Sequence, residues 1–125
     1  MAKFVNSDVL DAGLNYIKTN CNKLALVSAY TFGDSYSIVN ANIIADAAMA
    51  PTDFTLGSSG NSRTLTASAK QDASANATGT ASHVVFLDTV NSKVLWATSE
   101  TTGQTIYIGN PVSFPSVIYT ANQPV

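Results

Sequence analysis

Apolar residues change their spacing once along this chain, near Asn22, from a helical repeat to a strand repeat. Before that point Leu10, Leu14, Ile17 and Cys21 fall at i, i+4, i+7 and i+11, the spacing of one helical face. This predicts a helix over residues 7–21, with Ser7 as its N-cap, Asp8 and Asp11 at the positive end of its dipole and Lys18 and Lys23 near the negative end. Gly13 lies between Leu10 and Leu14 and has no Cβ. It either costs about 1 kcal/mol relative to alanine or lets another backbone come close.

After Asn22 the apolar runs are short. Residues 24–29 read as a buried strand, and residues 63–70 alternate, with Leu65, Ala67 and Ala69 on one face. Residues 82–88 contain His83-Val84-Val85-Phe86-Leu87, a continuous run that implies burial on both faces. Thr89-Val90-Asn91-Ser92 reads as a turn and residues 93–100 as the antiparallel return. A second turn is expected at Thr101-Thr102-Gly103-Gln104, leading to a strand at 105–108 that sets Tyr107 beside Trp96. The final strand-like stretch, 112–121, carries Pro111 and Pro115 at positions suited to a strand start, a bulge or an edge. Residues 30–60 are less regular. They read as a long excursion, with strand or turn pieces at Ile38-Val39 and Ile43-Ile44 and one helical turn at 45–50, stopped by Pro51. The expected fold is mainly β, an antiparallel β-sandwich or open barrel with one N-terminal α-helix. A chain of 125 residues suits a single domain, divided into an arm (1–6), the helix (7–21), a β body (23–119) and a C-terminal tail (120–125).

Composition narrows the chemistry. Charged residues make up 11%, against about 25% for soluble proteins, and Ala, Ser, Thr and Asn supply 56 of the 125 residues. A net charge of −2 gives no strong attraction to nucleic acid or to an anionic membrane surface. Cys21 is the single cysteine, so no intrachain disulfide can form. The opening residues lack the apolar run of a signal peptide, and nothing approaches the ~18 apolar residues that span a bilayer. Synthesis in a reducing cytoplasm is the expectation.

Catalytic patterns are sparse. His83 is the single histidine and reads as a strand-end residue, since a metal site needs three or four convergent ligands. Ser82, His83 and Asp88 contain the letters of a hydrolytic triad, but Asp88 falls on the opposite face of a regular strand from His83. Asp34, Asp46 and Asp53 share the excursion and are the carboxylates best placed to meet, although aspartates in turns are mainly conformational. Gly57-Ser58-Ser59-Gly60 reads as a flexible turn and not as a nucleophile elbow. No enzyme activity, cofactor or metal is expected. Tyr30, Phe32 and Tyr36 offer an aromatic loop, and Trp96 reads as ordinary sheet core. The nearly uncharged C-terminal end suits docking onto a partner as well as it suits packing onto its own body.

Four stretches of residues carry a resemblance. The opening Val5-Asn6-Ser7-Asp8-Val9-Leu10-Asp11-Ala12-Gly13-Leu14-Asn15-Tyr16-Ile17 resembles a helix that begins small virion proteins of tailed bacteriophages. Gly79-Thr80-Ala81-Ser82-His83, Lys93-Val94-Leu95-Trp96-Ala97-Thr98 and Gly109-Asn110-Pro111-Val112-Ser113-Phe114-Pro115 are similar to that family's later pattern; residues 30–60 are not. These motifs are structural. The resemblance implies a capsid decoration, or cement, protein made in the host cytoplasm and carried on the capsid surface. Its implied partners are the major capsid protein and further copies of itself, a trimer ahead of a dimer, without nucleic acid or membrane. The arm and tail supply the candidate contact residues: Ala2, Lys3, Phe4, Val5, Tyr119, Thr120, Ala121, Asn122, Gln123, Pro124 and Val125. A receptor- or glycan-binding head of a fibre or tail, reading its ligand through the 30–36 aromatics, is the alternative, as is a tail-tube or connector subunit.

Overall fold

A computed structural model describes residues 3–72 and 74–123. Helix α1 spans Ser7–Asn20, and its cap is Asn6, whose Oδ1 accepts the Asp8 amide hydrogen at 2.8 Å. The cap therefore lies one residue before the expected Ser7, within the usual uncertainty of helix ends. Leu14, Ile17 and Cys21 of the predicted stripe are buried. Among the described residues nothing lies within 4 Å of where a Gly13 Cβ would be, so of its two readings the close approach falls away.

The strands follow as β1 (Lys23–Val27), β2 (Ile43–Ala48), β3 (Phe54–Ser59), β4 (Ser62–Ala67), β5 (Lys70–Asp72), β6 (Gly79–Asp88), β7 (Lys93–Ile106), β8 (Val112–Phe114) and β9 (Val117–Ala121). They form a four-stranded sheet in the order β2-β1-β6-β7, a three-stranded sheet β3-β4-β9 and a pair β5-β8. Every pairing is antiparallel. The fold is mainly β with an N-terminal helix, as expected from the pattern of periods.

The first sheet is buried on both faces where β1 meets β6. Leu24 opposes Phe86 and Leu26 opposes Val84, and these four side chains join Leu14 and Ile17 in the main core. Ala25 opposes Val85, and together with Val27 and Leu87 they fill a second, smaller core beneath Val39. The continuous apolar run of β6 is explained by this two-sided burial. An aromatic series crosses the main core: Phe54 of β3 meets Phe86 at 6.1 Å, Phe86 stacks on Trp96 at 4.3 Å, and Trp96 meets Tyr119 edge-on at 5.4 Å. It joins the two larger sheets through ring contacts rather than backbone pairing.

Several sequence expectations need correction; Gly57, Ser58 and Ser59, read as part of a flexible turn, are the end of β3, and the strand read over 63–70 ends at Ala67, with Lys70 opening β5. The excursion at 30–60 is largely regular: Ile38 and Val39 lie in a short helix α2 (Tyr36–Ala41), and residues 45–48 belong to β2 rather than to a helical turn. Ser35 caps α2 and Val39 anchors it, while a 3-10 turn at Pro51–Asp53 leads into β3. Strand β7 does not turn at 101–104 but runs through to Ile106, absorbing extra residues where its register shifts opposite Ala81 and His83. Tyr107 consequently lands beyond the strand, exposed, and Trp96 pairs with Phe86 instead. The stretch 112–121 is two strands. Pro115 and Ser116 break it, so that β8 pairs with β5 and β9 with β4. A proline lacks the amide hydrogen that would continue the ladder.

Candidate functional site: the joined chain ends

The Gly60-Asn61 turn between β3 and β4 places Gly60 at φ 59°, the left-handed region, while Ser59 pairs with Ser62 across it. A two-residue hairpin needs a positive φ at its first central position when the second lacks one, and glycine supplies it without cost. This turn projects beside the end of β9, where Asn122 and Gln123 continue the chain. Ser62 Oγ donates to Asn122 Oδ1 at 3.0 Å. The Gln123 amide then clasps the N-terminal arm. Its Oε1 accepts the Val5 amide hydrogen at 2.8 Å, and its Nε2 donates to the carbonyls of Val5 and Asn61, both at 2.9 Å. One side chain thus imitates a rung of sheet between arm, hairpin and tail.

Helix α1 is fixed to the same corner. Arg63 Nε donates to Asp11 Oδ1 at 2.7 Å, and both side chains are largely buried. Between the arm and the hairpin lies an open cleft of about 480 Å³, bounded by Lys3, Phe4, Asn6, Ser58, Asn61 and Arg63 among others. Phe4 is 76% exposed at its rim.

The residues expected to contact partners divide as follows. Lys3, Phe4 and Val5 form the arm at the cleft, with Val5 clasped. Tyr119, Thr120 and Ala121 are not a free tail: they are rungs of β9, opposite Leu65, Thr64 and Arg63. The alternating apolar and β-branched residues of 117–121 favour a strand, which is why the β body extends past 119. Asn122 and Gln123 are held by the bonds described above, and Ala2, Pro124 and Val125 lie outside the described residues. Sequence reasoning missed Asn61, Ser62 and Arg63, although the Gly60-Asn61 pair carried the turn signal.

Beyond this corner, the aspartates and the histidine singled out in the sequence each have a partner. Asp34 Oδ2 accepts the Thr31 amide hydrogen, Asp46 pairs with Lys23 at 3.7 Å, and Asp53 pairs with Lys70 at 2.8 Å. The Lys70 ammonium holds the Asp53 carboxyl below its ordinary value. Asp88 closes the β6–β7 turn: it accepts the amide hydrogens of Val90 and Asn91 and the Asn91 side-chain amide, which draws its pKa down. Asp88 is therefore committed to the turn and not to His83. The His83 ring lies 5.4 Å from that of Tyr30, and its Nδ1 is 2.9 Å from Ser82 Oγ. Burial pushes the Cys21 thiol up to about 11. Among the described residues no group of three metal-ligating side chains converges.

The aromatic loop is only partly open. Phe32 is 99% exposed, whereas Tyr30 and Tyr36 pack against the smaller core. A second exposed feature is the turn after β7, where Tyr107 and Ile108 point outward. Its backbone is tied down by Gly109 N–H to the Ala75 carbonyl, Ala75 N–H to the Asn110 carbonyl and Ile108 N–H to Thr78 Oγ1.

Comparison with protein-family models, with curated proteins and with solved structures finds no match for this chain.

Proposed function

We propose that this chain is a non-enzymatic virion protein of a tailed bacteriophage that binds the outer surface of the capsid and stabilises the assembled head as a decoration, or cement, protein. The observation that carries the reading is the corner where the chain ends meet: a clasped arm with Phe4 exposed above an amide-rich cleft that Lys3 and Arg63 border. Such a surface binds by shape, hydrogen bonds and a small apolar contact, which suits a partner met at fixed geometry on a lattice. The likeness of the opening helix and of the later motifs to small phage virion proteins supports the same reading. The partners are the major capsid protein and other copies of this chain.

Binding to the assembled lattice but not to free capsid subunits stabilises the shell by RT ln(1 + [L]/Kd) per site. No chemical step is needed. Copy number and position in purified virions test the proposal: a copy number comparable with that of the major capsid protein, on the head surface, supports it. A few copies at the tail would instead favour a receptor-binding head, for which the exposed Phe32 is the residue to examine.

Removing residues 120–125 is a poor test of attachment, because Thr120 and Ala121 are paired in β9. Phe4→Asp is cleaner, since the ring is mostly in solvent. It is expected to leave the fold intact and to reduce occupancy on stripped heads by about tenfold, the effect of losing roughly 1.4 kcal/mol. Unchanged occupancy would remove the arm from the interface.

A further inference from the structure

We infer that β9 is a dimerisation edge, its open side pairing antiparallel with β9 of a second copy to fuse two three-stranded sheets into one. β9 hydrogen-bonds to β4 on one side, and among the described residues no strand lies on the other. An unpaired strand edge offers alternating amide hydrogens and carbonyls, which another extended backbone satisfies better than any side chain.

The other edges of the protein are guarded, each in its own way. Along β2, Ile44 O accepts the amide hydrogens of Asn76 and Ala77, and the Asp46 amide hydrogen goes to Asp72 Oδ2. β7 starts at Lys93, loses its register opposite Ala81 and His83 and has α2 packed against it. β8 is three residues between Pro111 and Pro115, and its neighbour β5 carries Lys70 and Asp72. β3 runs into Gly57-Ser58-Ser59, which weakens it as a pairing strand. Within β9 there is no charge, proline or register shift, and among the described residues no hydrogen bond caps its open side, although α1 packs against it as α2 does against β7. Four of its five residues, Val117, Ile118, Tyr119 and Thr120, are β-branched or aromatic, and no charged residue occurs from 101 to 125.

The same neutrality selects the occupant. Two copies of β9 meet without opposed like charges, and antiparallel pairing of a strand with itself is isologous, so it closes at two. Ile118 and Thr120 lie on the outer face of the β3-β4-β9 sheet, opposite Thr66 and Thr64. With the twofold at Tyr119, Ile118 of one copy stands beside Thr120 of the other, giving apolar and hydroxyl cross-strand contacts. Tyr119, 40% exposed beside Trp96, gains cover on the inner face. The edge itself carries this inference, which stands whether or not the chain belongs to a virion.

Sedimentation velocity on the full chain, from about 1 μM to about 500 μM, reads the outcome directly. The test pairs Ile118→Lys/Thr120→Lys with Ile118→Glu/Thr120→Glu; both side chains are exposed, and circular dichroism checks each fold. The unaltered chain is expected to be dimeric at the upper concentrations. Each charged variant alone is expected to dissociate at least about tenfold more readily, and their mixture to recover a one-to-one dimer. A chain that is monomeric throughout, one that forms trimers, or a dimer indifferent to both variants would overturn the inference. Should a variant fail to fold, hydrogen exchange in the unaltered chain decides: protection over Val117–Ala121 must rise with concentration, and a constant value refutes the pairing.

Discussion

Phe86 and Gln123 each join parts of the chain that are far apart in sequence, the first by burying a ring against two others and the second by hydrogen bonds within reach of water. The centre of the β2-β1-β6-β7 sheet is apolar on both faces, so its strength follows from area removed from water and from close packing. At the corner of joined ends the side chains are polar or exposed, and each bond made there replaces one to solvent at little net gain. Structural strength therefore resides around Phe86, while the corner proposed above as a partner surface lies where the chain can change without unfolding. Each substitution below tests that division.

The largest effect is expected at Phe86. Truncation to alanine removes a ring with no exposed surface that touches both Phe54 and Trp96, and should cost about 3–5 kcal/mol. Urea unfolding followed by Trp96 fluorescence measures it. A loss below about 1 kcal/mol would mean that the core repacks freely, and the contrast between the two regions would collapse.

Acid acts on the turn that closes the same sheet. Asp88 is held below its ordinary value of 3.8, chiefly by the Asn91 side-chain amide and then by backbone amide hydrogens. The unfolded chain therefore binds this proton more readily. The stabilisation is full above the unfolded value and is lost as pH falls through the folded one, and Asp53, lowered by Lys70, titrates in the same sense. Urea midpoints between about pH 5 and about pH 2 should fall, and Asp88→Asn should flatten that fall while lowering stability near neutrality. If the Asn variant kept the full acid slope, another carboxyl would control it.

How much of this was legible in the sequence depends on the range of the interaction. The helix face through Leu14, Ile17 and Cys21, the two-sided strand around Phe86 and the turn at 89–92 were readable because their periods and turn residues are local signals. The partners of Trp96 were not, since β7 passes through a turn-like Thr-Thr-Gly-Gln sequence and its pairing with β6 overrides local preference. Residues 30–60 were obscure because α2 has only six residues and is held by the single buried Val39, too short for a periodic signal. The candidate corner was half legible. Both ends were singled out, but their union depends on one glutamine amide that finds Val5 across 118 positions, and no local pattern encodes such a bond.

That bond gives the smallest expected change in stability and the most pointed test of the contrast. Gln123→Ala removes the clasp on Val5 and the bond to the Asn61 carbonyl, yet its partners can turn to water, so global stability should fall by less than about 1 kcal/mol. The local consequence is larger. With the arm released, the Val5 amide hydrogen loses its acceptor, and its hydrogen exchange should approach that of an unstructured peptide while amides of β1 and β6 keep their protection. If protection in β1 and β6 fell in parallel, the arm would belong to the same cooperative unit as the core. The corner would then be part of the structural frame, because nothing there could open toward a partner without loosening the sheet that holds Phe86.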